Sequence, residues 1–263
     1  MSKDTNSRMG PDVRRKALAD HVLSAGSVSA ADLAELFAVS LMTIHRDLDE
    51  LERQGLVRKY RGGVTAQPSG VFESNVAYRK KSMQHAKEAI AEHVAAMVEP
   101  GMAVMLDDST TALALARRLT GITPLTVVTN FLEIINLLSR ERDIRLMALG
   151  GDYDPLHDSF LGMSCVDAIE SLRVDLCFVS TSSVSGGFAY HQEQHIVSVK
   201  RAMLDAAARS VLLVDHTKLG RVALHRVAPL SVFERVVVDD GASAEALREL
   251  DEHKVVHEVA TAS

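Results

Sequence analysis

The sequence predicts an α/β protein in two parts: a short N-terminal region of closely spaced helices closed by a hairpin, and a longer region in which strands and helices alternate. Three observations carry that expectation. Apolar residues recur at helical spacing in three successive segments before Arg53, each with one face to bury. A basic, strand-like run then meets Gly62-Gly63, a two-residue hairpin turn signal. From Met102 onward, short continuous apolar runs are separated by helical stretches, as in a mainly parallel sheet covered on both faces.

The length of 263 residues fits about two domains at roughly 150 residues each. With 47% hydrophobic and 24% charged residues, a disordered chain is excluded. No apolar run approaches the ~18 residues of a membrane span, and Met1 to Gly10 lacks a signal-peptide core, so a cytoplasmic protein is expected. Cys165 and Cys177 sit in apolar company, which predicts buried thiols. The net charge of −6 is unevenly spread. Up to Gly62 the chain carries ten Lys/Arg against nine Asp/Glu, and beyond it 19 against 26. Basic groups gather in Arg58-Lys59-Tyr60-Arg61, a local footprint of the kind that meets phosphate.

Helix one is expected from Asp12 to Ser24, with Val13, Ala17, Leu18 and Val22 inward and Gly26 ending it. Ser29, three residues before Asp32, is a candidate N-cap for a second helix whose stripe is Leu33, Leu36 and Phe37. The turn Ala38-Val39-Ser40 leads to a third helix, capped by Ser40 and stopped by Gly55, with Ile44, Leu48 and Leu51 at i, i+4 and i+7. Its other face presents Met42, Thr43, His45 and Arg46 near the N-terminal end. Such groups suit a helix whose first turns enter a major groove, while its leading N–H groups meet a phosphate. Arg58, Lys59 and Arg61 on the following hairpin then form the wing of a winged helix-turn-helix, placed on the DNA backbone.

Val39-Ser40-Leu41-Met42-Thr43-Ile44-His45-Arg46-Asp47-Leu48, followed by Leu51-Glu52, Gly55-Leu56-Val57-Arg58 and Gly62-Gly63, resembles the helix-turn-helix signature of DeoR-type regulators. That pattern usually reads Thr-Ile-Arg-Arg-Asp-Leu. Here His45 stands at the first arginine position, and an imidazole cannot make a guanidinium's bidentate contact to guanine.

Gln67-Pro68-Ser69-Gly70 reads as a linker. Beyond it the candidate strands are Met102 to Leu106, Leu125 to Val128, Ile144 to Leu149, Asp175 to Val179, Val211 to Val214 and Arg235 to Val238. His85 to Val98, Thr110 to Leu119 and Val197 to Ala208 read as helices between them. Ligands of such sheets bind beyond the carboxyl ends of strands. There the sequence places Asp107-Asp108-Ser109-Thr110-Thr111, Thr129-Asn130, Gly150-Gly151 and Asp215 to Gly220, with Lys200-Arg201 on a helix. Hydroxyls and amides opening a helix after Leu106 make a natural phosphate cradle.

This half is also similar to the DeoR family, in its sugar-phosphate-sensing domain. The matching stretches are Leu106-Asp107…Thr110-Thr111, Val128-Thr129-Asn130, Leu149-Gly150-Gly151, Val199-Lys200-Arg201-Ala202-Met203 and Asp215…Lys218. The resemblance implies a fold related to ribose-5-phosphate isomerase and an effector phosphate held by the first loop. It also implies repression relieved by the effector; self-association into dimers or tetramers, pairing the winged helices on repeated half-sites, is expected beside it. The family usually has glycine where Ser109 stands, and an acidic residue is common where Ser198 stands.

The expected layout is therefore a DNA-binding domain over 1–66, a linker over 67–75 and an effector-binding domain over 76–263. The expected partners are operator DNA and a phosphorylated sugar touching Asp107, Ser109, Thr110, Thr111, Asn130, Gly150, Gly151, Lys200 and Lys218. No cofactor, catalytic residue or membrane contact is expected. His191-Gln192-Glu193-Gln194-His195 places two histidines at i and i+4, but zinc-protease chemistry needs Glu directly after the first His and no further ligand is evident in sequence, so no metal is expected. The rival reading is a sugar-phosphate isomerase using Glu193 with Lys218, or Asp107, as acid–base groups. An attached DNA-binding wing argues against it.

Overall fold

The structure, a computed structural model, describes residues 10–25, 27–53, 56–66 and 76–261. Chain contacts divide into two compact units, Met1–Tyr78 and Arg79–Ser263. The expected helix stops at Gly26 and Gly55 and the linker from Gln67 to Gly70 lie outside the described residues.

In the first unit α1 (Pro11–Ala25), β1 (Ser27–Ser29), α2 (Ala30–Leu36) and α3 (Leu41–Arg53) precede the hairpin of β2 (Val57–Tyr60) and β3 (Gly63–Ala66). Ser29 caps α2, its Oγ accepting the Asp32 N–H at 3.0 Å. Leu18, Val22, Leu33, Phe37, Ile44, Leu48 and Leu51 close on Leu56, Val57 and Val64 to form one core. Val13 and Leu36, expected inward, are instead exposed. Two features lie beyond the periodic pattern. β1 pairs antiparallel with β3, Val28 opposite Val64, and makes the wing three-stranded. The hairpin turn also falls one residue earlier than Gly62-Gly63: Arg61 and Gly62 form the loop, and Tyr60 pairs with Gly63. A Cβ on Gly63 would lie 2.5 Å from the Tyr60 hydroxyl, so glycine is needed there for packing.

Asp47 is the polar residue buried within α3. Its carboxylate accepts Arg14 Nε at 2.6 Å and pairs with Arg15 at 3.4 Å, tying α3 to α1.

The unit boundary falls within α4 (Val76–Lys81), and the second unit continues with α5 (Gln84–Ala95), β4 (Ala103–Leu106), α6 (Thr110–Leu119), β5 (Leu125–Thr129), α7 (Leu132–Leu138) and β6 (Ile144–Ala148). A short hairpin, β7 (Asp152–Asp154) and β8 (Ser159–Leu161), leads to α8 (Met163–Glu170) and β9 (Val174–Ser180). β10 (Ser183–Ser185), β11 (Phe188–His191), α9 (Gln194–Asp205), β12 (Ala207–Val214), β13 (His225–Pro229), β14 (Arg235–Asp239), α10 (Ala244–Glu252) and β15 (His257–Ala260) complete it. Seven of these strands form one sheet in the order β15-β14-β12-β9-β4-β5-β6, with every pairing parallel. α8 and α9 cover the face bearing Met105, Cys177 and Val179. α6 packs on the face that alternation gives to Val104, Leu106 and Phe178. Cys165 and Cys177 are free and buried.

The chain steps from β4 outward to β5 and β6, then returns to β9 and proceeds the other way. The order therefore reverses between β4 and β9, whose carboxyl ends open the crevice where such sheets take ligands. Of the second-unit strands absent from the sequence reading, β7, β8 and β10 are three residues long, too short for a period to show, and β11, β13 and β15 are four or five.

Asp47→Ala leaves the guanidinium groups of Arg14 and Arg15 without their buried carboxylate and is expected to destabilise the first unit by about 1–3 kcal/mol. Denaturant unfolding followed by hydrogen exchange at first-unit amides measures it. Exposed Asp49→Ala is expected to cost no more than about 0.5 kcal/mol.

Candidate functional site

Two surfaces carry the sequence-marked residues, one on each unit. On the first, Ser40 caps α3: its Oγ accepts the Thr43 N–H at 3.2 Å and lies 2.8 Å from the Thr43 hydroxyl. Those two hydroxyls satisfy each other and the helix end. Met42, His45 and Arg46 are left exposed on the outer face, a thioether, an imidazole and a guanidinium within two turns. On the hairpin Arg58 and Arg61 are exposed. Lys59 is engaged within the unit, its ammonium paired with Asp49 and its N–H donating to Glu52 Oε1 at 2.8 Å.

The second surface is built where β4 and β9 part. Asp107, fully buried, follows β4 and reaches across to β9: Oδ2 accepts the Ser180 N–H at 2.7 Å and Lys200 Nζ at 2.5 Å. Lys200, on α9, also reaches Asp108 Oδ1 at 3.1 Å. Asp108 Oδ2 accepts the Ser159 hydroxyl of β8 at 3.0 Å. Burial works to hold Asp108 protonated, but Lys200, His157 and Arg79 outweigh it and its carboxyl lies well below the usual range. Burial likewise works to discharge Lys200, and the two carboxylates reverse this, raising it.

Asp107 Oδ1 then accepts the Ser109 N–H at 3.1 Å, and Ser109 caps α6 through Ala112 N–H at 3.0 Å. Ser109 takes φ −94°, an ordinary value for a side-chain-bearing residue, so the turn forms without the family's glycine. The leading N–H groups of α6, at Thr110 and Thr111, are of the kind a helix leaves without an intrahelical acceptor. Two lysines from other elements stand beside this end. Lys87 on α5 donates to the carbonyl of Arg79 at 2.5 Å, which the Thr110 hydroxyl also approaches at 3.4 Å. Burial, with Lys218 and Arg79 nearby and Asp215 opposing, brings Lys87 down to about 7. Lys218 donates to the Ser180 hydroxyl at 3.2 Å and lies 3.8 Å from Asp215.

Of the sequence-marked groups, Asp107, Ser109, Thr110, Thr111, Lys200 and Lys218 thus meet at the ends of β4, β9 and β12. Lys200 and Asp107 are spent on each other rather than turned outward. Asn130, after β5, donates to Phe160 O at 3.0 Å, and its Oδ1 is buried with no partner among the described residues. Gly150 and Gly151 lie beyond β6. Gly150 is open, whereas a Cβ on Gly151 would lie 2.2 Å from Leu161 O, so that glycine serves the β8 contact. Ser198 is exposed on α9 and donates back to Gln194 O at 3.1 Å.

The His191–His195 string also differs from its sequence reading. His191 ends β11 and is buried, while His195 lies in α9, so the two do not share a helix face. Glu193, the N-cap residue of α9, instead faces His195 and His157, each 3.0 Å from its Oε2. Burial opposes charging His157, yet the Glu193 hydrogen bond and Asp108 raise it, and the same bond holds Glu193 low. Sequence reading missed Arg79, Lys87, Asp154, His157, Ser159 and Ser180. Only Asp108, in a doublet with Asp107, carried a local signal.

The two units together define a helix-turn-helix transcriptional regulator. The model of the DeoR-like helix-turn-helix domain matches residues 14–69, and that of the DeoR C terminal sensor domain matches residues 82–240. The chain belongs to the DeoR family. It is 36% identical over 242 residues to the uncharacterized HTH-type transcriptional regulator YgbI of Escherichia coli K12, covering 92% of this chain and 95% of that one. It is 31% identical to the glycerol-3-phosphate regulon repressor of the same organism, over 92% and 96% of the two chains. Among solved structures, ribose 5-phosphate isomerase A from Methanocaldococcus jannaschii aligns with 50% of this chain and 52% of its own, at 19% identity and TM-score 0.37.

Lys200→Met strands two buried carboxylates and is expected to destabilise the second unit by about 3–5 kcal/mol. Asp108, lowered in the fold, contributes stability above its unfolded value and loses it as pH falls below about 4; Lys200, raised, contributes below about pH 10.4 and loses it above. Denaturant titrations across pH are expected to show the contribution of Asp108 and Lys200 flat between those limits.

Proposed function

We propose that this regulator represses a carbohydrate-utilisation operon and leaves its operator when a phosphorylated sugar binds the second unit. Residues 1–66 form the DNA-binding domain, 67–75 the linker and 76–263 the effector-binding and self-association domain. The helix α3 enters the major groove with Met42, His45 and Arg46 on base edges. Ser40 and Thr43 fix its first turn, and Arg58, Arg61 and Lys59 meet phosphates. Paired copies of the chain, as a dimer or tetramer in the cytoplasm, read repeated half-sites.

The observation that carries the effector half is the capped start of α6 at the strand-order reversal, with Lys87 and Lys218 beside it. Helix N–H groups, the Lys218 ammonium and a Lys87 amine able to take up a proton suit a phosphate dianion. Ser109, Thr110 and Thr111 present those amides, and Asn130, Gly150 and Gly151 border the sugar. Asp107 and Lys200 position the loop from behind. The site senses and does not convert: Glu193 is held by two imidazoles and Asp107 by Lys200, so neither stands ready as a base. The names of the relatives support repression, since they include a glycerol-3-phosphate regulon repressor and a putative aga operon transcriptional repressor.

Thermal-shift screening of triose, pentose and hexose phosphates tests this. A cognate effector at a hundred times its Kd is expected to add about 2.7 kcal/mol of stability, and the same sugar without phosphate none. If no sugar phosphate stabilises the protein, or if one is turned over, the reading fails. Lys87 near 7 takes up a proton when a phosphate dianion settles beside it, so effector affinity is expected to fall as pH rises from 7 to 9. The limit for one proton is about tenfold per pH unit, and Lys87→Met flattens the slope. On DNA, Arg46→Ala is expected to lose roughly 1–3 kcal/mol of operator discrimination, and Arg58→Ala to reduce the salt slope by about 1.

A further inference from the structure

We infer that Asp154, His157, Glu193 and His195 form a binding site for one divalent transition-metal ion, zinc or a first-row neighbour. The four residues come from separate stretches: Asp154 ends β7, His157 lies in the turn to β8, Glu193 precedes α9 and His195 is in its first turn. One donor atom from each lies within 4.8 Å of all the others. Glu193 Oε2 is 3.0 Å from both His157 Nε2 and His195 Nε2, and His195 Nε2 is 3.5 Å from Asp154 Oδ2. Tetrahedral coordination at about 2.0–2.1 Å spaces ligand atoms at about 3.3 Å, so these separations bracket what a central ion sets.

The chemistry of the donors agrees. Two imidazoles with two carboxylates make an N2O2 set, suited to zinc, cobalt or nickel over magnesium or calcium, which prefer oxygen alone. Two carboxylates also neutralise a divalent charge. Two of the donors are aimed by surroundings outside the cluster. Asp154 Oδ1 accepts the N–H groups of Leu156 at 2.8 Å and His157 at 3.3 Å, leaving Oδ2 toward His195. His157 is 1% exposed, and with Nδ1 lying 3.4 Å from Arg79, its Nε2 is the nitrogen turned to the carboxylates. The His195 side chain, 49% exposed, leaves one side open for a ligand oxygen. Ser159, two residues beyond His157, donates to Asp108, so the site borders the crevice between β4 and β9 without depending on what occupies it.

The test uses full-length protein stripped with chelator and titrated with Zn²⁺ by calorimetry and with Co²⁺ by visible absorption, with no sugar phosphate present. One equivalent is expected to bind, with the intense d–d bands of low-coordinate cobalt. Glu193→Gln and His195→Ala, each checked for an unchanged melting temperature without metal, are expected to weaken binding by at least about tenfold to a hundredfold, the range already seen for outer-shell partners. His85→Ala, an exposed histidine on α5 outside the cluster, leaves binding unchanged. Absence of a one-to-one event, or one that survives both ligand substitutions, overturns the assignment. Because no effector is present, neither result bears on whether the crevice takes a sugar phosphate.

Discussion

The ammonium of Lys200 between the carboxylates of Asp107 and Asp108 is the constraint on which the second unit depends. All three groups are buried, and isolated charges there would be prohibitively costly. They are sustained by a closed set of donors: Lys200, the Ser180 and Ser109 N–H groups and the Ser159 hydroxyl. These come from α9, from the end of β9, from the loop after β4 and from β8. The triad therefore ties together the elements that meet where strand order reverses. It also settles where the loop before α6 runs, and with it the direction of the α6 N-terminus.

That arrangement separates positioning from contact. The charges a sequence would assign to a ligand, Asp107 and Lys200, face inward and hold the frame. Lys87 is held by the carbonyls of Arg79 and Ser82 and lowered by burial, while Lys218 is a quarter exposed. The first unit follows the same logic on a smaller scale. Asp47 on α3 is buried against Arg14 and Arg15 of α1, which fixes α3 while its outer face stays exposed.

Much of this was legible in the chain. Ile44, Leu48 and Leu51 repeat at helical spacing and all are buried, and Ser29 and Ser40 cap as their side chains allow. The six apolar runs from Met102 to Val238 are strands of the large sheet, since strands buried on both faces announce themselves by continuity. What could not be read depends on partners distant in sequence. Asp47 and Arg14 are 33 residues apart, and Lys200 and Asp108 are 92 apart. His157 reaches Glu193 across 36 residues through a hairpin of three-residue strands that no period marks. The wing turn slipped by one residue because two adjacent glycines serve different needs: Gly62 a positive φ of 92°, Gly63 the packing of Tyr60.

The central claim is that one chain couples sugar-phosphate binding to DNA binding, and linkage makes this measurable in both directions. The most direct measurement is the effector's affinity for free and operator-bound protein, set beside operator affinity with and without effector. Coupling requires both ratios to be the same factor, typically about 5- to 150-fold, with weaker binding in the ternary state. An effector that binds equally well to free and operator-bound protein would contradict the account.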